Sequence, residues 1–216
     1  TVTSDEVIER YVQAIGGRAA ILNIKSSVSR GTVDIPATGY HADSECWREA
    51  PNKFESELVI SDSMTTRTVF DGATGWSDTI ELGIRQMEGD ELSETKRQAD
   101  FYSSLHLKDL YPQMTLSRAE KIGDADTFVI DAIRDDGKPA MLFFDVKTGL
   151  LVRADYERYR LDVKVFLSDY RDVDGVKAPF TTRFVYKDQT SIHKIKEVRN
   201  NVEIDESKFA KPKPVN

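Results

Sequence analysis

The stretch Leu161-Asp162-Val163-Lys164-Val165-Phe166-Leu167-Ser168, continuing through Asp174-Gly175 to Phe180-Thr181-Thr182-Arg183-Phe184-Val185-Tyr186-Lys187, decides the fold class. In the first arm Leu161, Val163, Val165 and Leu167 alternate with Asp162, Lys164 and Ser168. In the second, Phe180, Thr182, Phe184 and Tyr186 alternate with Arg183 and Lys187. A period of two sends successive side chains to opposite faces of a strand, so each arm reads as a half-buried strand. Asp174-Gly175 supplies the positive φ that a tight turn needs. The pair predicts an antiparallel hairpin.

The same signature recurs on either side. Leu150, Val152, Ala154 and Tyr156 alternate with Arg153, Asp155 and Glu157, and Phe54, Ser56, Leu58 and Ile60 alternate with Lys53, Glu55 and Glu57. Asp71-Gly72, Asp136-Gly137 and Thr148-Gly149 mark further turns. Hairpins in succession predict a mainly antiparallel β fold of about ten or eleven strands, not a parallel βαβ sheet. Two segments depart from the period of two. Thr3 and Glu6 form a capping box before Val7, Ile8, Tyr11, Val12 and Ile15, and Gly16-Gly17 stops the run, which predicts a helix over 4–15. Ala99, Tyr102, Leu105 and Leu110 recur at near-helical spacing, which predicts a second helix at about 94–108 between strand groups 27–90 and 113–201. A short turn then tucks Phe209 against the body before an extended tail, 210–216. With no linker or internal repeat, residues 1–216 read as one domain.

Charge narrows the function. Thirty Lys and Arg against 37 Asp and Glu give a net charge of −7, which does not suit a nucleic-acid binder whose affinity comes from neutralising phosphates. The longest apolar run, Ala140-Met141-Leu142-Phe143-Phe144, falls far short of the roughly 20 residues of a membrane helix. A charged share of 31% suits a sheet with one face in water. Cys46 is the only cysteine, so it forms no intramolecular disulfide and reads as a small buried hydrophobe, on the strand face opposite His41. The chain opens at Thr1 with no leader pattern, as either a processed secreted chain or a trimmed cytosolic domain would.

No GxSxG, GxGxxG, P-loop, CxxC or HExxH motif is present, so the sequence points to no cofactor and no nucleophile. The sharpest polar set is His41, Asp43 and Glu45, which a strand places on one face. Their steps of about 7 Å are too wide for one metal ion, and a solvated strand face is the simpler reading. Large apolar residues form the other candidate set: Trp47, Phe54, Leu58, Phe70, Trp76, Phe143, Phe166 and Phe184, with Phe144 and Phe180 on similar segments. On strands curving into an incomplete barrel, some would line an apolar cavity fit for acyl chains. Packed against the helices, they would leave none.

Trp47-Arg48-Glu49-Ala50-Pro51-Asn52-Lys53-Phe54, followed by Asp71-Gly72-Ala73-Thr74-Gly75-Trp76, resembles two signatures of the LolA/LolB-type periplasmic lipoprotein carriers, Trp…Arg-Pro-Asn-x-Phe and Asp-Gly-x-x-x-Trp. The wider pattern is similar to uncharacterised outer membrane lipoprotein-sorting protein-like chains of bacterial envelopes. It includes Phe144-Asp145, Thr148-Gly149-Leu150-Leu151-Val152-Arg153, Asp169-Tyr170-Arg171, Pro179-Phe180 and Asn201-Val202, and covers nearly the whole chain. The resemblance implies an unclosed half-barrel with helices on its concave side, a periplasmic location after signal-peptide removal, and no enzymatic activity. It also implies a hydrophobic cavity for a lipid, lipoprotein acyl chains or another apolar small molecule, with no nucleic-acid partner. The family's Phe corresponds to Phe54 and its second Trp to Trp76. Where the carriers place a lid-holding arginine before the proline, this chain has Ala50, and the nearest arginine is Arg48 on the same strand face. The rival readings are an envelope protein–protein or sensor module that uses an exposed sheet face or strand edge, for which the alternating Thr/Arg strand Met64 to Phe70 speaks, and an enzyme built on His41, Asp43 and Glu45.

Overall fold

The computed structural model describes residues 2–61 and 64–213. In chain order it contains α1 (Ser4–Ala14), α2 (Gly17–Asn23), β1 (Ser26–Ile35), β2 (Tyr40–Glu49), β3 (Lys53–Ser61), β4 (Met64–Phe70), β5 (Gly75–Thr79) and β6 (Gly83–Gln86). There follow α3 (Gly89–Ala99), α4 (Leu107–Leu110), β7 (Gln113–Ile122), β8 (Ala125–Ile133), β9 (Pro139–Asp145), β10 (Leu151–Arg158), β11 (Leu161–Val173), β12 (Val176–Tyr186) and β13 (Gln189–Asn200). A 3-10 turn, Glu206–Phe209, comes last. The strands belong to an open antiparallel sheet with β6 and β7 at its two ends, as the alternating sequence predicts. Among the described residues there are thirteen strands against the ten or eleven expected. Strands as short as β6, with four residues, show too little alternation to be counted from sequence.

The helix expected at 94–108 is corrected. It starts earlier, after Glu88 in an extended conformation, and stops at Ala99. Asp100 leaves the helix with ψ 103. The Phe101 N–H then donates to the Pro51 carbonyl at 3.0 Å, and the Asp100 carboxylate accepts the Tyr102 N–H. The apolar spacing from Ala99 to Leu110 therefore belongs to two short helices and the turn between them.

The chain divides into two compact units, one of residues up to Asn23 with Ser103–Thr190, the other of Ile24–Tyr102 with the residues from Ser191 on. In the first, strands run in the order β12-β11-β10-β9-β8-β7. The capping box is present: Thr3 accepts the Glu6 N–H at 3.2 Å, and Glu6 accepts the Thr3 N–H at 2.8 Å. Val7 and Ile8 of α1 pack on Ile130, Leu142, Phe144 and Ala154, and the Tyr11 ring centre lies 5.5 Å from that of Phe144. The β11–β12 hairpin turns through Asp174 and Gly175, both at positive φ. On the face away from α1, the Arg153 guanidinium stands 4.6 Å from the Phe143 ring centre and 5.3 Å from that of Phe166.

In the second unit the order is β6-β5-β4-β3-β2-β1-β13. Helix α3 covers one face, with Ala99 and Leu92 packed on Phe54 and Phe70. The 3-10 turn lies against β3 and β4, and its Phe209 is 2% exposed.

Candidate functional site

Strand register sorts the large apolar candidates by face, because directly paired residues share a side. Arg48 pairs with Phe54 and Phe54 with Phe70. Leu58, four residues along β3 from Phe54, is on the same side of the sheet as Phe54. Trp47 pairs with Glu55, Glu55 with Val69, and Val69 with Trp76, so both tryptophans lie on the opposite face. In the other unit, Phe143 and Phe166 both pair with Arg153, whereas Phe184 joins the α1 side through Val165 and Ala154. No single face gathers the whole set. The offset that separates Trp47 from Phe54 is set by the length of the β2–β3 turn, which the period of two alone does not reveal.

The face beneath α3 changes along β3. Phe54 and Phe70 are buried, whereas Leu58 and Ile60, further along, are half-buried. Cys46, also on this face, is half-buried, and burial pushes its thiol up to about 11. At pH 8 its thiolate is scarce, so iodoacetamide should alkylate native Cys46 at least about 100-fold more slowly than the denatured chain. Equal rates in the two states would show that the α3 face is open to reagents.

Arg48 does what the sequence alone assigned to no residue. Its terminal nitrogen donates to the carbonyls of Gln98 at 2.8 Å and Asp100 at 2.9 Å, and its guanidinium stacks 5.5 Å from the Phe101 ring centre. The last carbonyls of a helix lack intrahelical donors and carry the negative end of its dipole, so a cation is favoured there. Arg48, and not the Ala50 position, thus ties the C-terminal end of α3 to β2.

His41, Asp43 and Glu45 are engaged separately. His41 Nδ1 lies 2.7 Å from Asp34, and this bond holds the Asp34 carboxyl below the usual range. Glu45 accepts from Trp47, from Arg30 at 2.6 Å and from Lys208 at 3.1 Å. Burial works to raise the Glu45 carboxyl, but these bonds together hold it below its ordinary value. Lys196 is the cation nearest Asp43 in an ion pair, at 3.9 Å. Among the described residues, no group of three or more His, Cys, Asp and Glu is placed to hold a metal ion.

Two open clefts lie in the first unit. One, of about 860 Å³, runs along the outer side of α1 past Glu6, Arg10 and Gln13 to Gly149. The other, of about 670 Å³, lies on β7–β11, with Ile133 and Met141 between Asp131, Asp162 and Lys164. None of the eight large apolar candidates lines either cleft.

The chain is similar in structure to a DUF1329 family protein from Desulfovibrio piger, at 14% identity and a TM-score of 0.68, covering 97% of this chain and 98% of that one. It is similar to a LolA superfamily protein from Nitrosomonas europaea at 11% identity and a TM-score of 0.66, covering 98% and 99%. A Vibrio parahaemolyticus domain described as an outer membrane lipoprotein-sorting protein aligns at 11% identity and a TM-score of 0.61, covering 86% and 89%. No family model matches the sequence, and no curated protein matches it. At these identities the likeness shows the fold, which is the LolA-like one that the sequence motifs suggest. Among the described residues, no helix is long and apolar enough to cross a membrane.

Proposed function

We propose that this chain is a non-enzymatic periplasmic or cell-envelope protein that binds a lipid, an acyl chain or another apolar ligand on the sheet face beneath α3. Phe54, Leu58 and Phe70 form the apolar floor and α3 is the cover. The observation that carries this reading is how the cover is held. Its C-terminal end is tied to β2 by a guanidinium on two main-chain carbonyls, a contact that can be exchanged for water, while the apolar floor continues to the half-buried Leu58 and Ile60. The likeness in fold to LolA-superfamily and lipoprotein-sorting proteins supports it.

The test is native mass spectrometry with lipid extraction on the chain purified from its own envelope fraction, followed by titration of the delipidated protein with a fluorescent fatty acid. Saturable binding is expected, and Leu58→Asp should weaken it about tenfold or more, because a carboxylate on the floor must be desolvated when the chain binds. Leu58 is half-buried in the free protein, so the melting temperature should change little. No lipid mass and no saturable probe binding would sink the proposal. A second reading, an envelope protein-interaction module, draws on Ile80 and Leu82, which are 55% and 67% exposed at the β5–β6 turn. A stoichiometric envelope partner lost in an Ile80→Ser, Leu82→Ser variant that still binds the probe would favour it.

A further inference from the structure

The face of β2–β5 opposite α3 carries Trp47, Glu55, Val69 and Trp76 as neighbours across the strands. The C-terminal segment lies over it. Lys208 Nζ stands 4.9 Å from the Trp47 ring centre and 3.1 Å from Glu45. Lys211 Nζ stands 4.7 Å from the Trp76 ring centre, and Pro212 is buried. Lys53 bonds Glu206 at 2.7 Å and lies 5.6 Å from the ring centre of the buried Phe209. Trp47 and Trp76 are the chain's two tryptophans.

Glu55 belongs to this covered face. It is 1% exposed, and neither carboxylate oxygen accepts a hydrogen bond. Arg67 Nε lies 3.2 Å from one of them but donates to Glu57. The carboxyl is therefore ion-paired to Arg67 at 3.2 Å and faces the cation of Lys208 and the anions of Glu57 and Glu45, with a hydrogen bond from none of them. Desolvation by burial is the largest influence on it and raises it to about 7; Lys208 and Arg67 act to lower it, and Glu57 and Glu45 to raise it.

We propose that residues 205–212 are a proton-gated clasp, closed over Trp47 and Trp76 while the buried Glu55 carboxyl is neutral and lifted when it ionises. A neutral carboxyl tolerates a dry site with no donor, whereas a carboxylate there needs water or a hydrogen bond. The folded-state value lies above the ordinary 4.5, so the folded state holds the proton more tightly. The stability this gives the closed clasp is complete below about 4.5 and is lost as pH rises through about 7.

Tryptophan emission and limited proteolysis test this on the intact chain. Between pH 5.5 and 8.5 the emission should shift to the red with a midpoint near 7. Tryptic cleavage after Lys208, scaled to an unstructured lysine peptide, should be about 30-fold faster at the upper end, the change given by the roughly 1.5 units of linked titration between pH 5.5 and 7. Glu55→Gln should stay closed at both ends of the range and Phe209→Ala open at both. Flat emission and cleavage in the wild type, a Glu55→Gln variant that titrates like the wild type, or a clasp that tightens as pH rises would each overturn the proposal. Should Glu55→Gln fail to fold, the wild-type curve between its own endpoints and the Phe209→Ala spectrum still decides.

Discussion

Gly16→Ala should lower the stability of the protein by about 3 kcal/mol or more, a fall of roughly 6–12 °C in melting temperature for a chain of this size. Gly16 stands at φ +126°, a conformation that side chains rarely adopt, and a Cβ placed on it would lie 2.2 Å from the Gly175 carbonyl oxygen. That oxygen is main chain in the β11–β12 turn, where Asp174 and Gly175 are at positive φ and the Gly175 N–H donates to Asp172. Just beside it the Lys177 N–H donates to the Ile15 carbonyl at 2.8 Å. The new methyl must therefore pull the end of α1 off the hairpin, and no side-chain rotation relieves it. Gly17→Ala is the internal comparison. Its φ is +82°, but the nearest atom to its Cβ is the end of the Gln13 side chain, at 3.2 Å. It should cost only the left-handed penalty of about 1–2 kcal/mol. Thermal denaturation of both variants checks the contrast, and equal losses would mean that backbone strain alone, not the close approach, holds glycine at position 16.

The close approach at Gly16 also shows where the sequence is legible. The β11–β12 hairpin and α1 can be read in advance because each rests on a local period and a local stop signal: Val163 and Val165 against Lys164, Val7 and Ile8 with Tyr11, Gly16-Gly17 and Asp174-Gly175. That the two stop signals meet is a long-range fact, and no period encodes it. Helix α3 departs from the span its spacing predicts for a related reason. Ala99, Tyr102 and Leu105 keep a helical spacing while the Pro51 carbonyl captures the Phe101 N–H and turns the chain out of the helix.

The candidate site was less legible than the fold. Alternation assigns Glu55 to the wet side of β3, yet its cross-strand neighbours on that side are Trp47 and Val69, the latter fully buried. Tryptophans at the polar parity of β2 and β5 were a signal that both faces are covered. Reading it required the β2–β3 register and the return of Phe209 from the far end of the chain. Arg48 is legible as the arginine nearest the proline, but its acceptors, the carbonyls of Gln98 and Asp100, lie some fifty residues away. Main-chain acceptors carry no residue type, so a pattern of side chains cannot announce them.

Arg48→Leu should free the cover without unfolding the sheet beneath it. Hydrogen bonds from a charged donor contribute about 1.5–3 kcal/mol each, but both here leave one nitrogen, and Arg48 Nε is itself buried with no hydrogen-bond partner. Removing the side chain relieves that unsatisfied group and offsets part of the loss, which leaves about 2 kcal/mol, or roughly a 30-fold change in the opening equilibrium. Amide hydrogen exchange over the last turn of α3, whose Asp100 N–H donates to the Lys96 carbonyl, should quicken by about that factor. Exchange in β8 and β9, in the other unit, should not change. Arg48→Lys should recover only part of the protection, because an ammonium on a flexible, strongly hydrated stem gives up the planar stacking of the guanidinium on the Phe101 ring that holds the donor in place. If α3 covers the ligand site, the leucine variant should also take up the fluorescent fatty acid faster, while Leu58→Asp weakens binding without hastening uptake. A variant with faster exchange but unchanged uptake would separate the mobility of α3 from ligand entry. Unchanged exchange would mean that Ala99 and Leu92, packed on Phe54 and Phe70, hold the helix without the guanidinium.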